Sequence, residues 1–123
     1  MDMKQTLISG LPELKLDLTQ AQTDTLCAFG QAVIDQNQVM NLTAITEPQQ
    51  VAKLHLLDSL TVLSALDLRG KSLIDVGCGA GFPGVPLAIA SPQTQVTLLD
   101  SLGKRVNWLK EILPQLGVSA QCV

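Results

Sequence analysis

The segment LIDVGCGAGFPGVPLAI, residues 73–89, decides the fold of this chain. The run from Ser72 to Val76 is short and apolar, glycines follow at 77, 79, 81 and 84, and Val85 to Ala90 is apolar again. A β-branched run that breaks into clustered glycines and resumes with helical character is a strand turning into a helix. Val96 to Leu99 is once more β-branched and apolar, which makes the unit β-α-β. Beyond it, Val106, Leu109, Leu113 and Leu116 share one helical face, Pro114 bends or ends that helix, and Gly117 stops it. Val118 to Val123 begins a third strand, inside which the sequence ends. Strands alternating with helices predict an α/β fold, a Rossmann-like parallel sheet with helices on both faces, truncated at the C-terminus.

Toward the N-terminus the rhythm changes near residue 70. Thr19 to Gln22 reads as a capping box, and Leu26, Phe29, Val33 and Met40 recur at helical spacing, with Gly30 weakening the middle. Asn41 to Ile45 is a short extended stretch. Thr46 to Gln49 repeats the capping pattern with Pro48 in the first turn, predicting a second helix from about Pro48 to Leu66. Its apolar residues form two stripes, Val51, Leu54 and Leu57 on one and Leu56, Leu60 and Leu63 on the other, so burial on both sides is expected. The chain thus divides into a helical extension, residues 1–70, and the first β-α-β-α-β part of a sheet domain, residues 71–123.

Composition narrows the class. The chain has 123 residues, enough for one domain with a core, and its 46% hydrophobic content is that of a globular protein. No window approaches the roughly 18 consecutive apolar residues of a membrane helix, and Asp2, Lys4 and Gln5 interrupt any signal core. A soluble, cytoplasmic protein without membrane contact is expected. Cys27, Cys78 and Cys122 are an odd, widely spaced set beside a single histidine, which predicts free thiols and no metal site. The net charge of −3 confines any nucleic-acid contact to a local patch.

The glycine turn lies where open α/β sheets bind cofactors. Gly77, Gly79 and Gly81 spell G-x-G-x-G, while Gly79, Gly81 and Gly84 also spell the dinucleotide pattern G-x-G-x-x-G. A dinucleotide would bring a pyrophosphate to this turn, where the helix dipole attracts it and Asp75 repels it. S-adenosylmethionine carries ammonium and sulfonium charges, so Asp75 favours it, directly or through water. Asp100, ending the second strand, would face ribose hydroxyls in either class. A nicotinamide dinucleotide module of an oxidoreductase, a nucleoside-binding domain without catalysis, and a tight turn without ligand are the competing readings.

The surrounding residues carry a resemblance. NLTAIT at 41–46, KLHLLDSL at 53–60, LIDVGCGAGFPGVPLAI at 73–89 and TLLDSLGKRVNWL at 97–109 resemble the N-terminal part of the RsmG (GidB) family of bacterial 16S ribosomal RNA guanine-N7 methyltransferases. The resemblance covers most of residues 40–110. It implies S-adenosylmethionine as cofactor and 16S rRNA, in the small ribosomal subunit, as partner. It also implies that Gly77 and Phe82 contact the cofactor, that Gly79 and Gly81 shape the turn around Cys78, and that Asp100 faces the ribose. The family's further cofactor contacts fall after Val123. Guanine N7 has a lone pair and no proton, so no catalytic acid or base is expected and the rate rests on alignment and electrostatics. A chain that stops inside its third strand is expected to be inactive alone and to self-associate or require its missing part.

Four other groups of residues invite a functional reading. His55, Asp58 and Ser59 stand at helical spacing, where Asp58 would orient the imidazole; the simpler reading is a helix pair that stabilises packing. Lys104 and Arg105 follow the second strand on the cofactor side, as RNA phosphate contacts or as a solvated basic turn. Cys78 reads as a small filler rather than a nucleophile. Trp108 reads as core rather than as a base-stacking platform.

Overall fold

The computed structural model describes residues 1–123. Its sheet has three parallel strands, β1 (Ser72–Val76), β2 (Gln95–Leu99) and β3 (Gln121–Cys122), in that spatial order. Ser72 stands opposite Gln95 and Val76 opposite Leu99, and Thr97 and Leu98 pair with Gln121 and Cys122. The third strand is shorter than its sequence suggests, since Val118 is spent closing the preceding helix through its N–H to Leu113 O.

The remaining elements are helices: α1 (Met3–Gly10), α2 (Gln20–Gln36), α3 (Pro48–Val51), α4 (Asp58–Ala65), α5 (Gly84–Ala90) and α6 (Gly103–Gln115), with a short 3-10 turn, Pro12–Leu14, after α1. A π-helical turn, Ala52–Leu57, joins α3 to α4 without a break. Both sheet crossovers, through α5 and α6, step in the same direction. Right-handed connections then put both helices on one face. That face buries Val96 and Leu98. On the other, Ile74 and Val76 remain 64% and 74% exposed, so the helices this chain supplies cover one of the two faces the fold class provides for.

One core of 21 buried residues runs from Met3 to Val118 and draws on both sides of residue 70. Leu26, Phe29 and Val33 of α2 are fully buried in it, each worth about 1.5–3 kcal/mol of transfer free energy. The expected capping box starts α2: Gln22 N–H donates to Thr19 Oγ1 and Thr19 N–H to Gln22 Oε1. Gln22 Nε2 also reaches Ile89 O and Ala90 O, so this cap fastens the extension to the end of α5. Gly30 is buried where Met3 and Val51 close on the helix.

Several local expectations are revised. Helix α2 ends at Gln36, leaving Met40 outside it. Residues 41–46 form an irregular loop rather than an extended stretch, because Asn37 Oδ1 accepts the N–H groups of both Leu42 and Thr43. No capping box forms over 46–49; Glu47 is the N-cap without a side-chain bond, and Gln49 Nε2 donates to Met1 O instead. Leu54 is 52% exposed, whereas Val51, Ala52, Leu56 and Leu60 are fully buried. The π turn lengthens the local repeat, which rotates Leu54 out of the apolar stripe and leaves the helix buried on one side only. Helix α1, not expected from the apolar pattern, starts with an Asp2–Gln5 capping box with both bonds formed.

Candidate functional site: the glycine turn

Between β1 and α5 the chain turns through residues 77–83, with Gly77, Gly79 and Gly81 at φ of 72°, 57° and 106°. These positive values favour glycine. A Cβ on Gly79 would meet nothing within 4 Å, so one side of the turn's backbone is open to an approaching molecule. Gly81 is different: its Cβ would stand 2.8 Å from Val85 Cγ2 and 3.0 Å from Phe29 Cζ. The turn therefore presents an open rim at Gly77 and Gly79 and a packed heel at Gly81.

Most of its amides are already engaged. Gly77 and Cys78 N–H both donate to Leu99 O, at 2.7 and 3.0 Å, and Gly81 N–H donates to Cys78 O at 2.8 Å. Gly79 N–H donates to Asp100 Oδ2 at 2.8 Å, and Gly84 N–H, the first of α5, donates to Asp75 Oδ2 at 2.9 Å. Asp75 thus caps α5 from the neighbouring strand. A phosphate-binding turn offers converging free N–H groups, whereas here the amides of Gly77, Cys78, Gly79 and Gly81 are bonded within the protein, as is that of Gly84, and two carboxylates stand among them. That arrangement repels a pyrophosphate and suits a ligand bearing positive charge.

Asp100 is the keystone of the turn. Its side chain is 5% exposed, its Oδ1 accepts Leu102 N–H at 2.9 Å, and Arg105 Nη1 lies 3.8 Å from Oδ2. The Leu102 and Gly79 N–H bonds, with Arg105 behind them, hold its carboxyl below the usual range. Asp75 shifts the other way, pushed up by burial and by the charge of Asp100. Cys78 is buried and its thiol is pushed up to about 11, chiefly by desolvation, so it stays protonated and serves as a filler.

The structure brings Gly77, Cys78, Gly79, Gly81, Phe82 and Asp100 together around one turn, and it adds a neighbour from the extension. The His55 ring lies flat on Phe82, centroids 4.4 Å apart and planes 4° from parallel. Thr43, not Asp58, bonds the imidazole: Thr43 Oγ1 is 2.8 Å from His55 Nε2, while Asp58 is exposed. Ser59 Oγ donates to His55 O at 2.5 Å. The ordinary helical spacing that would pair His55 with Asp58 does not apply across a π turn. Burial pushes the imidazole below its usual pKa, against the pull of Asp58. Trp108 stacks on Phe29 at 6.2 Å and lies in the core. Lys104 is exposed at the start of α6, and Arg105 is turned toward Asp100. No group of three His, Cys, Asp or Glu side chains converges to hold a metal ion, and no helix is long and apolar enough to cross a membrane.

Parallel strands joined through right-handed helices, a glycine turn at the end of the first strand and an acid at the end of the second define a Rossmann-like fold of the class I methyltransferase type. Comparison with known proteins takes the assignment further. The family profile for rRNA small subunit methyltransferase G matches residues 22–123. The chain is 43% identical over 122 residues to the ribosomal RNA small subunit methyltransferase G of Desulforamulus reducens, covering 98% of this chain and 51% of that protein. It is 45% identical over 112 residues to the enzyme of that name from Lachnoclostridium phytofermentans (90% and 46% covered) and 42% over 117 residues to that from Haemophilus ducreyi (95% and 57%). The chain belongs to the rRNA small subunit methyltransferase G family, and it spans about half the length of the curated relatives it matches.

Proposed function

We propose that this chain carries the S-adenosylmethionine-binding part of a cytoplasmic enzyme that methylates guanine N7 in 16S rRNA, within the small ribosomal subunit. The observation that carries the reading is the turn itself: four of its amides, those of Gly77, Cys78, Gly79 and Gly81, are spent on protein acceptors, two carboxylates flank it, and its rim at Gly77 and Gly79 is open. Family membership supports the same assignment. The carboxylates of Asp75 and Asp100 disfavour a pyrophosphate, although G-x-G-x-x-G can be spelled through the turn.

When bound, S-adenosylmethionine supplies an electrophilic sulfonium methyl group. The residues of this chain bind and orient. Gly77 and Gly79 admit the ligand to backbone contact. Asp100 holds Gly79 through Oδ2 and Leu102 through Oδ1, and the lone pair each oxygen retains is what it would offer a ribose. Phe82 supplies an apolar wall, Cys78 fills the space behind the turn, and Asp75 contributes negative potential while capping α5. Guanine N7 offers its own lone pair, so no residue here is asked to move a proton.

The test is titration calorimetry of the chain with S-adenosylmethionine and, separately, with NADH. Binding of the first with little or no response to the second is the expected result. Preference for NADH would overturn the reading. Transfer of labelled methyl groups by the complete protein to small ribosomal subunits lacking the modification tests the substrate, and equal labelling of an unrelated RNA would refute it. Sedimentation of the 123-residue chain tests the self-association expected from the exposed Ile74 and Val76.

A further inference from the structure

The sequence contains two phenylalanines, one tryptophan, one histidine and no tyrosine. All four rings stand in one row. Trp108 of α6 stacks on Phe29 of α2, Phe29 meets Phe82 edge-on at 5.4 Å and 62°, and Phe82 lies under His55. The row passes through the heel of the turn, since Phe29 Cζ is also the atom that crowds Gly81. Phe82 is therefore gripped from two sides: Phe29 fixes it from the core, and His55 covers its other approach.

His55 is itself fixed. Its ring projects from the π turn, and its Nε2 is bonded to Thr43 Oγ1, which also accepts Ile45 N–H at 3.0 Å. The loop that carries Thr43 is anchored by Asn37, which accepts Leu42 N–H at 2.7 Å and Thr43 N–H at 2.9 Å. A continuous line of contacts thus runs from the end of α2 through Asn37, Thr43 and His55 to Phe82. A π turn is uncommon in helices and is found frequently at functional sites. Here it turns His55 onto Phe82 rather than toward Asp58.

We propose that His55 is a positioning residue: held by Thr43, it clamps Phe82 and so keeps the glycine turn in the shape that admits the ligand. The inference rests on the proposed cofactor role of the turn, but the clamp can be read without any ligand. The helical extension is then part of the binding apparatus, because two of its residues, His55 and Thr43, set the geometry of a turn in the sheet domain.

The experiment is amide hydrogen exchange on the 123-residue chain, comparing wild type with His55→Ala, His55→Phe, Thr43→Val and Thr43→Ser. Losing the ring should speed exchange at Gly77, Gly79 and Gly81 by roughly two- to tenfold, the factor that one aromatic pair represents, while Leu26 in α2 is unaffected. His55→Phe keeps the stack without the Thr43 bond and should recover part of the protection. Thr43→Val should match His55→Phe, combining the two should add nothing further, and Thr43→Ser should behave as wild type. The two ring C–H signals of the single imidazole should move downfield, toward their free positions, in Phe82→Leu as the ring current is lost. Unchanged turn exchange in His55→Ala, or equal acceleration at Leu26, would overturn the clamp. If His55→Ala does not fold, Thr43→Val decides, and unchanged turn exchange in it is equally fatal. Calorimetry separates this inference from the reading beneath it. A wild-type chain that ignores S-adenosylmethionine while its turn loosens in His55→Ala refutes the cofactor and upholds the clamp. Binding that survives His55→Ala with an undisturbed turn refutes the clamp and upholds the cofactor.

Discussion

Replacing Gly79 and Gly81 singly by alanine should separate ligand access from stability within one turn. Both glycines have positive φ, 57° and 106°, so an L side chain at either site is strained, by about 1–2 kcal/mol for left-handed backbone. At Gly79 nothing is added to this, because the new Cβ would find no atom within 4 Å. At Gly81 the Cβ would press on Val85, Phe29 and Leu109 at 2.8, 3.0 and 3.3 Å. Overpacking a tight core costs about 1–3 kcal/mol more, so Gly81→Ala should lose roughly 2–5 kcal/mol of a stability that is itself only about 5–15 kcal/mol. In thermal melts this corresponds to a fall of roughly 8–20 °C for Gly81→Ala against about 4–8 °C for Gly79→Ala. Calorimetry with S-adenosylmethionine should show the complementary pattern. The Gly79 methyl group stands on the open rim, and Gly79→Ala should weaken binding by about tenfold or more, an effect of about 1.4 kcal/mol, even where the protein is fully folded. If Gly79→Ala binds as wild type does, or destabilises as much as Gly81→Ala, then the division into rim and heel is wrong.

Other outcomes follow from named contacts. Asp100→Asn leaves one carbonyl oxygen to serve two N–H groups, Gly79 and Leu102, and should cost about 1.5–3 kcal/mol in urea denaturation at neutral pH, as for hydrogen bonds to a charged group. Because the folded-state pKa of Asp100 is lowered, its stabilisation is present above the unfolded value of about 3.9 and is lost as pH falls through the folded one; the variant's stability should accordingly fall less on acidification, and a parallel decline would contradict the assignment. Gln22→Glu keeps the acceptor for Thr19 N–H but sets a carboxylate against Ile89 O and Ala90 O, and should lower stability by about 1–2 kcal/mol. A neutral result in a chemical melt would mean that the link between α2 and α5 is not formed. His55, with its folded pKa depressed by burial, resists protonation, so stability should drop as pH descends through the unfolded value of about 6.5. His55→Phe should lack that step, and an identical pH profile for the two chains would refute it.

The elements that were legible in the sequence are those whose signals are local. The β1 strand was readable from Ser72 to Val76 because the glycines end it abruptly, and the start of α2 from Thr19 and Gln22 because a capping box is complete within four residues. Asp100 could be placed beside the turn because a parallel neighbour of β1 must end at the same height. The features that escaped depend on three dimensions or on a break in period. The exposure of Leu54 and the loss of the Asp58 partnership both follow from the π turn, which no 3.6-residue pattern anticipates. The stack of His55 on Phe82 joins residues 27 positions apart on different elements, and Thr43 bonds His55 from a loop whose shape depends on Asn37. Asp75 was readable as an acid beside the turn, but its use as the cap of α5 required knowing how closely β1 passes the helix start.

The two acids at the turn show why its electrostatics matter more than its spelling. Asp75 and Asp100 both donate nothing and accept backbone N–H groups, yet their ionisation moves in opposite directions. Asp100 has two N–H partners and Arg105 nearby, so its charge is compensated. Asp75 has one N–H partner, partial burial and the charge of Asp100 close by. The turn therefore holds a net negative potential, because the amides of Gly77, Cys78, Gly79, Gly81 and Gly84 are directed at Leu99 O, Cys78 O and the acids themselves. A glycine pattern that also matches a dinucleotide motif is consequently no phosphate site here. Glycine spacing fixes only the curvature of such a turn, and the partners of its N–H groups decide the charge of the ligand it can accept.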